Sequence, residues 1–264
     1  MVNRIDVKFA QLRKQKRKAL IAYITAGDPN LKTTEELAVA FEGAGVDIIE
    51  LGIPFSDPMA DGATIQAASK RALDRGVTLA KIFATVKNIR RRSNIPLAFM
   101  TYYNPIFRYG EAKFIAKCKE MGIDGLIIPD LPLEEAGHLR ALARKAGIST
   151  VFFISPTSVN RRIKANSAAS TGFVYYVALT GVTGAKQAQA TDVVKHIRHA
   201  KRFTKRPICA GFGITTPQQV KDISKAADGV IIGSAIIKEI QKNKGRFDLV
   251  RKVSHYVASL SRAL

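Results

Sequence analysis

The chain has 264 residues, with 42 lysine and arginine residues against 21 aspartate and glutamate residues, and therefore a formal net charge of +21 at pH 7. A hydrophobic fraction of 47% excludes a disordered chain, and no apolar run approaches the roughly 18 residues of a membrane span. The amino-terminal segment lacks the apolar core of a signal peptide, and Cys118 and Cys209 predict neither a disulfide framework nor a zinc site. We therefore expect a cytoplasmic protein.

The positive charge raises the expectation of an anionic partner. It is concentrated in residues 150–264, which hold 19 basic and 5 acidic residues. Apart from Phe203, no aromatic residue that could stack on bases interleaves with the basic runs. We expect a basic, solvated surface, and nucleic-acid binding is the less favoured alternative. The runs are Arg13 to Lys18, Arg90 to Arg92, Arg161 to Arg162, and Lys201 to Arg206.

Eight short segments are almost continuously apolar, as in IIELG, GLIIPD and GVIIGS. Such runs are typical of parallel strands that are buried on both faces of a sheet. The predicted strands are Leu20–Thr25, Asp47–Gly52, Pro96–Tyr102, Asp124–Pro129, Thr150–Ser155, Gly172–Ala178, Pro207–Phe212 and Asp228–Gly233.

Segments with apolar residues at helical spacing lie between the predicted strands. Three glycines, Gly45, Gly122 and Gly147, each follow a helix and precede a strand, where a left-handed C-terminal cap fits. The clearest helical segments are Thr33–Ala44, Val77–Arg91, Glu134–Ala146 and Thr216–Ala226.

Alternating strands and helices predict an α/β fold with a parallel sheet, and eight such units match a (β/α)8 TIM barrel. An open doubly wound sheet is the alternative, but eight strands of similar length favour closure. Asn3 can cap an extra N-terminal helix in which Ile5, Phe9 and Leu12 share one face. Since no linker-like stretch interrupts the pattern, we expect a single domain over residues 1–264.

Acidic residues follow the second predicted strand, at the end where barrels of this kind have their active sites. Glu50 lies in a run that is otherwise apolar, and a buried carboxyl group should have the raised pKa of a general acid or base. The alternative is a structural ion pair. The long loop that follows holds Asp57 and Asp61, either of which could add a second carboxylate of different pKa or be merely solvated.

Short glycine motifs follow the last three predicted strands, namely Gly181 to Gly184, Gly211 to Gly213, and Gly233 with Ser234. Glycine lets the backbone approach an anion closely, and N–H groups at a helix start can bind it. The last loops of such barrels are a recurrent phosphate position, so the motifs predict a phosphate site. Tight turns without a ligand are the alternative.

The remaining candidates predict little chemistry. The histidines His138, His196 and His199 lack the carboxylate or cysteine partners of a metal site, so none is expected. Both cysteines are expected to serve in packing. No lysine stands at a predicted strand end, which disfavours Schiff-base aldolase chemistry.

Six motifs occur in a characteristic order: IELGIPFSDPMADGATIQ, TYYNPI, GLIIPDLPLEE, GFVYYVALTGVTGA, AGFGITTPQQV and IIGSAII. Through them the sequence resembles the α subunit of tryptophan synthase over essentially its whole length. The resemblance implies a lyase of tryptophan biosynthesis that splits indole-3-glycerol phosphate into indole and glyceraldehyde 3-phosphate by a retro-aldol step. It implies no cofactor on this chain and a pyridoxal-phosphate β subunit as partner in an αββα complex, with Asp57 and the PDLP segment resembling the contact surface.

The same resemblance implies roles for individual residues. Glu50 is similar to the acid and base that works at ring carbon C3 and the glycerol hydroxyl, and Asp61 to the acceptor of the indole N–H. Thr183 resembles a threonine of a mobile loop that helps to hold Asp61. The substrate-binding residues implied are Tyr23, Met100, Tyr175, Thr183, Gly184, Phe212, Gly213, Gly233 and Ser234.

Three positions depart from the family pattern. Ala63 replaces a usual proline, Ala178 a usual serine and Tyr23 a usual phenylalanine, and none of these changes removes a catalytic group.

Two alternative functions stay open at this point. One is a phosphosugar isomerase or synthase on the same barrel, which the ADG loop disfavours. The other is a subunit that activates its partner without chemistry of its own.

Overall fold

Short parallel strands form the centre of the fold in the computed structural model, which describes residues 3–178, 190–211 and 213–264. Within these ranges the strands are β1 (Ala19–Thr25), β2 (Ile48–Gly52), β3 (Leu97–Met100), β4 (Gly125–Ile127), β5 (Ser149–Val151), β6 (Phe153–Ile154), β7 (Val174–Val177), β8 (Ile208–Gly211) and β9 (Gly229–Ile232).

The strands close into a ring. Their order is β5-β4-β3-β2-β1-β9-β8-β7-β6, and every pairing is parallel. Because β5 and β6 lie at the two ends of this order and are separated by Phe152 alone, they act as one strand position that joins the two ends. The predicted (β/α)8 barrel is therefore confirmed.

The structure divides one predicted strand, 150–155, into two. The backbone N–H of Phe152 donates to the side-chain Oγ of Ser170 at 3.0 Å, and its carbonyl accepts from the N–H of Tyr175 at 3.0 Å. The pairing with β4 consequently ends at Val151, and the pairing with β7 begins at Phe153. The side chain of Ser170, which lies between α8 and β7, thus takes the place of one hydrogen bond between strands.

Helix α1 (Arg4–Lys14) covers the amino-terminal end of the barrel. It begins at Asn3, whose side-chain oxygen accepts from the backbone N–H of Ile5 at 2.8 Å. Ile5, Phe9 and Leu12 are buried in the cluster that fills the barrel interior. Burial of this apolar stripe holds the helix across the barrel, as the extra N-terminal helix of the prediction requires.

The other helices pack outside the ring. Gly122 and Gly147 end two of them in the left-handed conformation that was predicted for these caps. In the described part of the chain no helix has both the length and the hydropathy of a membrane span. The helices are α2 (Leu31–Gly43), α3 (Ala63–Asp74), α4 (Leu79–Arg90), α5 (Tyr103–Tyr109), α6 (Glu111–Met121), α7 (Gly137–Ala146), α8 (Asn160–Ala169), α9 (Ala190–Ala200), α10 (Pro217–Ser224), α11 (Ser234–Lys242) and α12 (Leu249–Ser261).

Three aspartates immediately before strands β2, β4 and β9 hold the amino-terminal end of the ring together. Each carboxylate accepts a hydrogen bond from the first backbone N–H groups of the neighbouring strand, and each also pairs with a cation. The backbone pairs are Asp47 with Leu20 at 2.9 Å, Asp124 with Leu97 at 2.9 Å and Asp228 with Ile208 at 3.0 Å. Each aspartate thereby ties the start of its own strand to the start of the neighbouring strand.

Removing one of these carboxylates is expected to destabilise the fold strongly. Asp124 is 4% exposed and binds Arg90, whose side chain is also largely buried, at 2.9 Å. The Asp124→Ala variant leaves this guanidinium without its partner, and a loss of about 3–5 kcal/mol in the free energy of unfolding is expected. Urea unfolding measures it. The control, Asp74→Ala, breaks an exposed pair with Lys70 and should cost at most about 1 kcal/mol; equal losses would refute the assignment.

Candidate active site

The buried carboxyl group of Glu50 lies at the centre of the candidate site. Glu50 is in β2, between Tyr23 of β1 and Ala98 of β3, and it is 0% exposed. Neither of its carboxylate oxygens has a hydrogen-bond partner among the described residues. A structural ion pair, the alternative reading of the sequence, is therefore not seen in the described residues. An unpartnered buried carboxyl group favours its neutral form and is free to bind a ligand.

Burial raises the pKa of Glu50 to about 8, and the negative charge of Asp61 adds to this effect. This rise in pKa agrees with the prediction made from the position of Glu50 in an apolar strand. At neutral pH the group therefore carries a proton, which it can donate to a substrate atom.

Asp61 lies in the loop between β2 and α3, and Tyr102 distinguishes it from the nearby Asp57. The Tyr102 hydroxyl hydrogen-bonds the Asp61 side chain and accepts from the backbone N–H of Ala60 at 2.9 Å. Burial raises the pKa of Asp61 to about 6, and the hydrogen bond from Tyr102 opposes this rise. Asp57, in contrast, is exposed and accepts from the hydroxyl of Ser56 at 2.5 Å.

Two tyrosines from opposite parts of the ring face these carboxylates. Burial raises the pKa of Tyr23, as do the charges of Asp61 and Glu50. Burial likewise raises the pKa of Tyr175, with the charge of Glu50 as the next cause. Both hydroxyls therefore lie near the same two carboxyl groups. Phe153 supports Tyr175 with ring centroids 4.9 Å apart.

The position of Tyr23 depends on a glycine at the end of β2. A Cβ atom added at Gly52 would lie 2.2 Å from the Tyr23 hydroxyl, so a larger residue would displace the ring. The same hydroxyl is 3.2 Å from the Oγ1 of Thr25, which gives it a polar partner. Met100, the half-buried last residue of β3, is the register partner of Gly52. Tyr23 and Met100 therefore approach this end of β2 from the two neighbouring strands.

The start of α11 lies beside Tyr23. Gly233 precedes the helix without a side-chain cap, and a Cβ atom added there would lie 3.4 Å from the Tyr23 Cβ. Ser234 is the first helical residue, so its N–H is among the unsatisfied donors of a helix start. Gly213 has a φ of +69° in the loop after β8. Thr183, Gly184 and Phe212, also predicted to bind substrate, lie outside the described residues.

Sequence reasoning did not assign a role to Tyr102 or to Thr25, both of which contact predicted site residues. The signal for Tyr102 was present in the TYYNPI motif directly after β3, because side chains at the carboxyl ends of strands point into the same region. The contact with Asp61 joins two different βα loops and could not be derived from spacing.

Other polar residues do not form a competing centre in the part of the chain that the structure describes. No group of three or more histidine, cysteine, aspartate or glutamate side chains there could hold a metal ion. Cys118 and Cys209 are both fully buried, and burial raises the pKa of each thiol. Both cysteines therefore act as packing residues, as expected from the sequence.

The family model described as "Tryptophan synthase alpha chain" matches residues 9–263. The chain belongs to the tryptophan synthase alpha chain family. The resemblance that the motifs indicated is thus confirmed over nearly the whole sequence.

Individual members of the tryptophan synthase alpha chain family agree with this placement. The alpha chain of Geotalea daltonii is 46% identical over 263 residues, covering 100% of this chain and 99% of its own length. The alpha chain of Thermoanaerobacter sp. is 47% identical over 263 residues, and the match covers 100% of this chain and 100% of that protein. The tryptophan synthase subunit alpha of Legionella pneumophila superposes with a TM-score of 0.93 at 34% identity, covering 100% of this chain and 98% of that one.

A structure of tryptophan synthase from M. tuberculosis includes a chain that superposes with a TM-score of 0.89 at 30% identity. The match covers 100% of this chain and 98% of that chain. The barrel and its order of strands are therefore those of the tryptophan synthase alpha chain family.

Proposed function

We propose that the chain cleaves indole-3-glycerol phosphate to indole and glyceraldehyde 3-phosphate, the α reaction of tryptophan synthase, with Glu50 and Asp61 as its catalytic residues. Family membership supports the reaction. The observation that carries the residue roles is the pair of carboxyl groups, Glu50 fully buried in β2 and Asp61 in the loop that follows, with separated, raised pKa values. Groups that hold different protonation states at the same pH can act as acid and anion together.

In the proposed first step, protonated Glu50 gives its proton to carbon C3 of the indole ring while ionised Asp61 faces the ring N–H. The ring becomes an indolenine, whose positive character the anion stabilises. An acid with a pKa of about 8 retains its proton at neutral pH, whereas an ordinary glutamate does not.

In the second step, Glu50 accepts the proton of the hydroxyl on the adjacent side-chain carbon. The C–C bond to the ring breaks, its electron pair restores the aromatic indole, and the hydroxyl carbon becomes the aldehyde of glyceraldehyde 3-phosphate. Glu50 regains the proton that it gave, so the enzyme returns to its starting state. Neither step requires a cofactor on this chain.

The proposed substrate site extends from the carboxyl groups to the start of α11. The aromatic side chains of Tyr23 and Tyr175, with Met100, would enclose the indole ring. Gly213, Gly233 and Ser234 would bind the phosphate, because a helix start without a side-chain cap offers free N–H groups and positive potential. Thr183, Gly184 and Phe212 are included on the basis of the sequence motifs.

The rate is expected to depend on pH through both carboxyl groups. The active form has Asp61 ionised and Glu50 protonated, so kcat/KM should be greatest between pH values of about 6 and about 8. It should fall below this window because Asp61 gains a proton, and above it because Glu50 loses one. Initial rates of indole release across this range measure the profile. A rate that keeps rising above pH 8 would contradict the role of Glu50 as the acid.

The proposed partner is a β subunit that carries pyridoxal phosphate, in an αββα complex in the cytoplasm. Two exposed apolar side chains support a partner surface at this end of the barrel. Met59, in the loop between β2 and α3, is 86% exposed, and Phe107, in α5 after β3, is 67% exposed. Asp57 lies beside Met59, and Asp130 of the PDLP segment accepts from the N–H of Tyr103 at 2.9 Å, next to the helix that carries Phe107. Indole release with and without a β subunit tests the proposal, because a purely activating subunit would stimulate its partner without cleaving the substrate.

A further inference from the structure

A strongly basic cleft lies at the amino-terminal end of the barrel, opposite the candidate active site. Its volume is about 510 Å³, and it separates the end of α1 from the loop before β8. Seven cationic side chains and one carboxylate line it, together with Phe9, Leu12, Thr204 and Pro207. The charged residues are Arg13, Lys16, Arg17, Lys18, Lys201, Lys205, Arg206 and Asp228.

Two basic runs that are far apart in the sequence form this cleft together. Phe9 and Leu12 hold α1 across the end of the barrel, so the run from Arg13 to Lys18 leaves the helix beside the first strand. The run from Lys201 to Arg206 lies before β8, on the other side of the cleft. The fold therefore concentrates charges that the sequence shows as two separate surface runs.

Two of the three aspartates at this end of the barrel, Asp47 and Asp228, pair with the inner cations. Asp228 binds Lys201 at 2.8 Å and Lys18 at 3.6 Å. Asp47, which is 3% exposed, binds Arg17 at 2.6 Å. These pairs fix the walls of the cleft, because both aspartates are also bound to strand backbone.

Four outer cations remain for a ligand. Arg13, Lys16, Lys205 and Arg206 are exposed and form no salt bridge with any described residue. The backbone N–H of Arg206 donates to the Oγ1 of Thr204 at 3.0 Å, which orders the loop on that side. Repulsion among grouped cations is relieved when a multivalent anion binds between them.

We propose that this cleft binds a small molecule that carries several linked phosphates. Its volume lies within the usual range of small-molecule sites. Arginine forks bind phosphate oxygens in pairs, and lysines add charge along a phosphate chain. Nucleic acid fits less well, because Phe9, the one aromatic side chain that lines the cleft, is only 7% exposed and offers no ring for stacking.

Calorimetric titration of the full chain with inorganic tripolyphosphate, at low and at near-physiological ionic strength, tests the proposal. The test variant combines Arg13→Gln, Lys205→Gln and Arg206→Gln. The control variant combines Lys87→Gln, Lys113→Gln and Lys119→Gln, three exposed lysines on α4 and α6, and it lowers the net charge equally. Orthophosphate and a single-stranded oligonucleotide serve as competing ligands.

The proposal predicts saturable binding of tripolyphosphate that weakens with salt, is stronger than that of orthophosphate, and falls at least about tenfold in the test variant. The control variant should bind within about twofold of the unaltered chain. Both variants should release indole at unchanged rates, since the cleft lies at the opposite end of the barrel. No saturable binding, equal losses in both variants, or stronger binding of the oligonucleotide would overturn the proposal.

Discussion

The Glu50→Gln variant is expected to release indole about 10²–10⁴-fold more slowly than the unaltered chain. Glutamine preserves the shape of a side chain that is 0% exposed, but it has no acidic proton to give to the indole ring. Nor can its amide accept the hydroxyl proton in the second step. Both halves of the reaction depend on this group, so kcat should fall much more than substrate affinity.

Initial rates of indole release, measured for the chain alone and with a β subunit, test this expectation. The matched control is Glu36→Gln, which removes a carboxylate that pairs with Lys32 at 3.9 Å on the surface of α2. The control should retain the full rate. A Glu50→Gln variant that releases indole at an undiminished rate would show that the acid is another group.

The pH dependence of stability separates loss of the acid from loss of the fold. The pKa of Glu50 rises from an ordinary 4.5 to about 8 on folding, so the folded chain binds more protons between these values. Glu50 therefore lowers the free energy of unfolding progressively as pH rises through this window. Relative to the unaltered chain, Glu50→Gln should gain stability between pH 5 and pH 8, as urea unfolding can measure.

The Asp61→Asn variant is expected to lose about 10²–10³-fold in kcat while it continues to bind a phosphate-bearing ligand. The amide keeps the size of the side chain but removes the anion that faces the ring N–H. It can still hydrogen-bond with Tyr102, so the loop between β2 and α3 should keep its conformation.

Asp57→Asn is the control for this variant, since Asp57 lies in the same loop but is exposed. In assays of the chain alone it should leave indole release unchanged. Titration with glycerol phosphate measures binding for both variants. Equal losses of rate in the two variants, or loss of ligand binding in Asp61→Asn, would contradict the assignment of Asp61.

The barrel could be predicted from the sequence because its strands are apolar on both faces, as in the run from Val46 to Pro54, where only Asp47 and Glu50 are charged. The break at Phe152 could not be predicted. It arises because the hydroxyl of Ser170 accepts the N–H of Phe152, a contact between residues 18 positions apart. Local pattern determines that a segment is extended, whereas a distant side chain determines where its ladder stops.

The candidate site shows the same difference between what the local sequence determines and what distant contacts determine. Glu50 was identifiable because a single carboxylate in an apolar strand must be neutral, paired or functional. Asp57 and Asp61 could not be distinguished by spacing, since both lie in one loop. Tyr102, which follows a different strand, makes the distinction by hydrogen-bonding with Asp61. The basic cleft likewise required the fold, because α1 brings together two runs almost 190 residues apart.

Quantification of both products from indole-3-glycerol phosphate tests the central claim most directly. The chain alone, and the chain saturated with a β subunit, should each form indole and glyceraldehyde 3-phosphate in equal amounts, faster with the partner. Glu50→Gln should form neither above about 1% of that rate. Absence of indole from the unaltered chain under both conditions would contradict the claim that this barrel is a lyase.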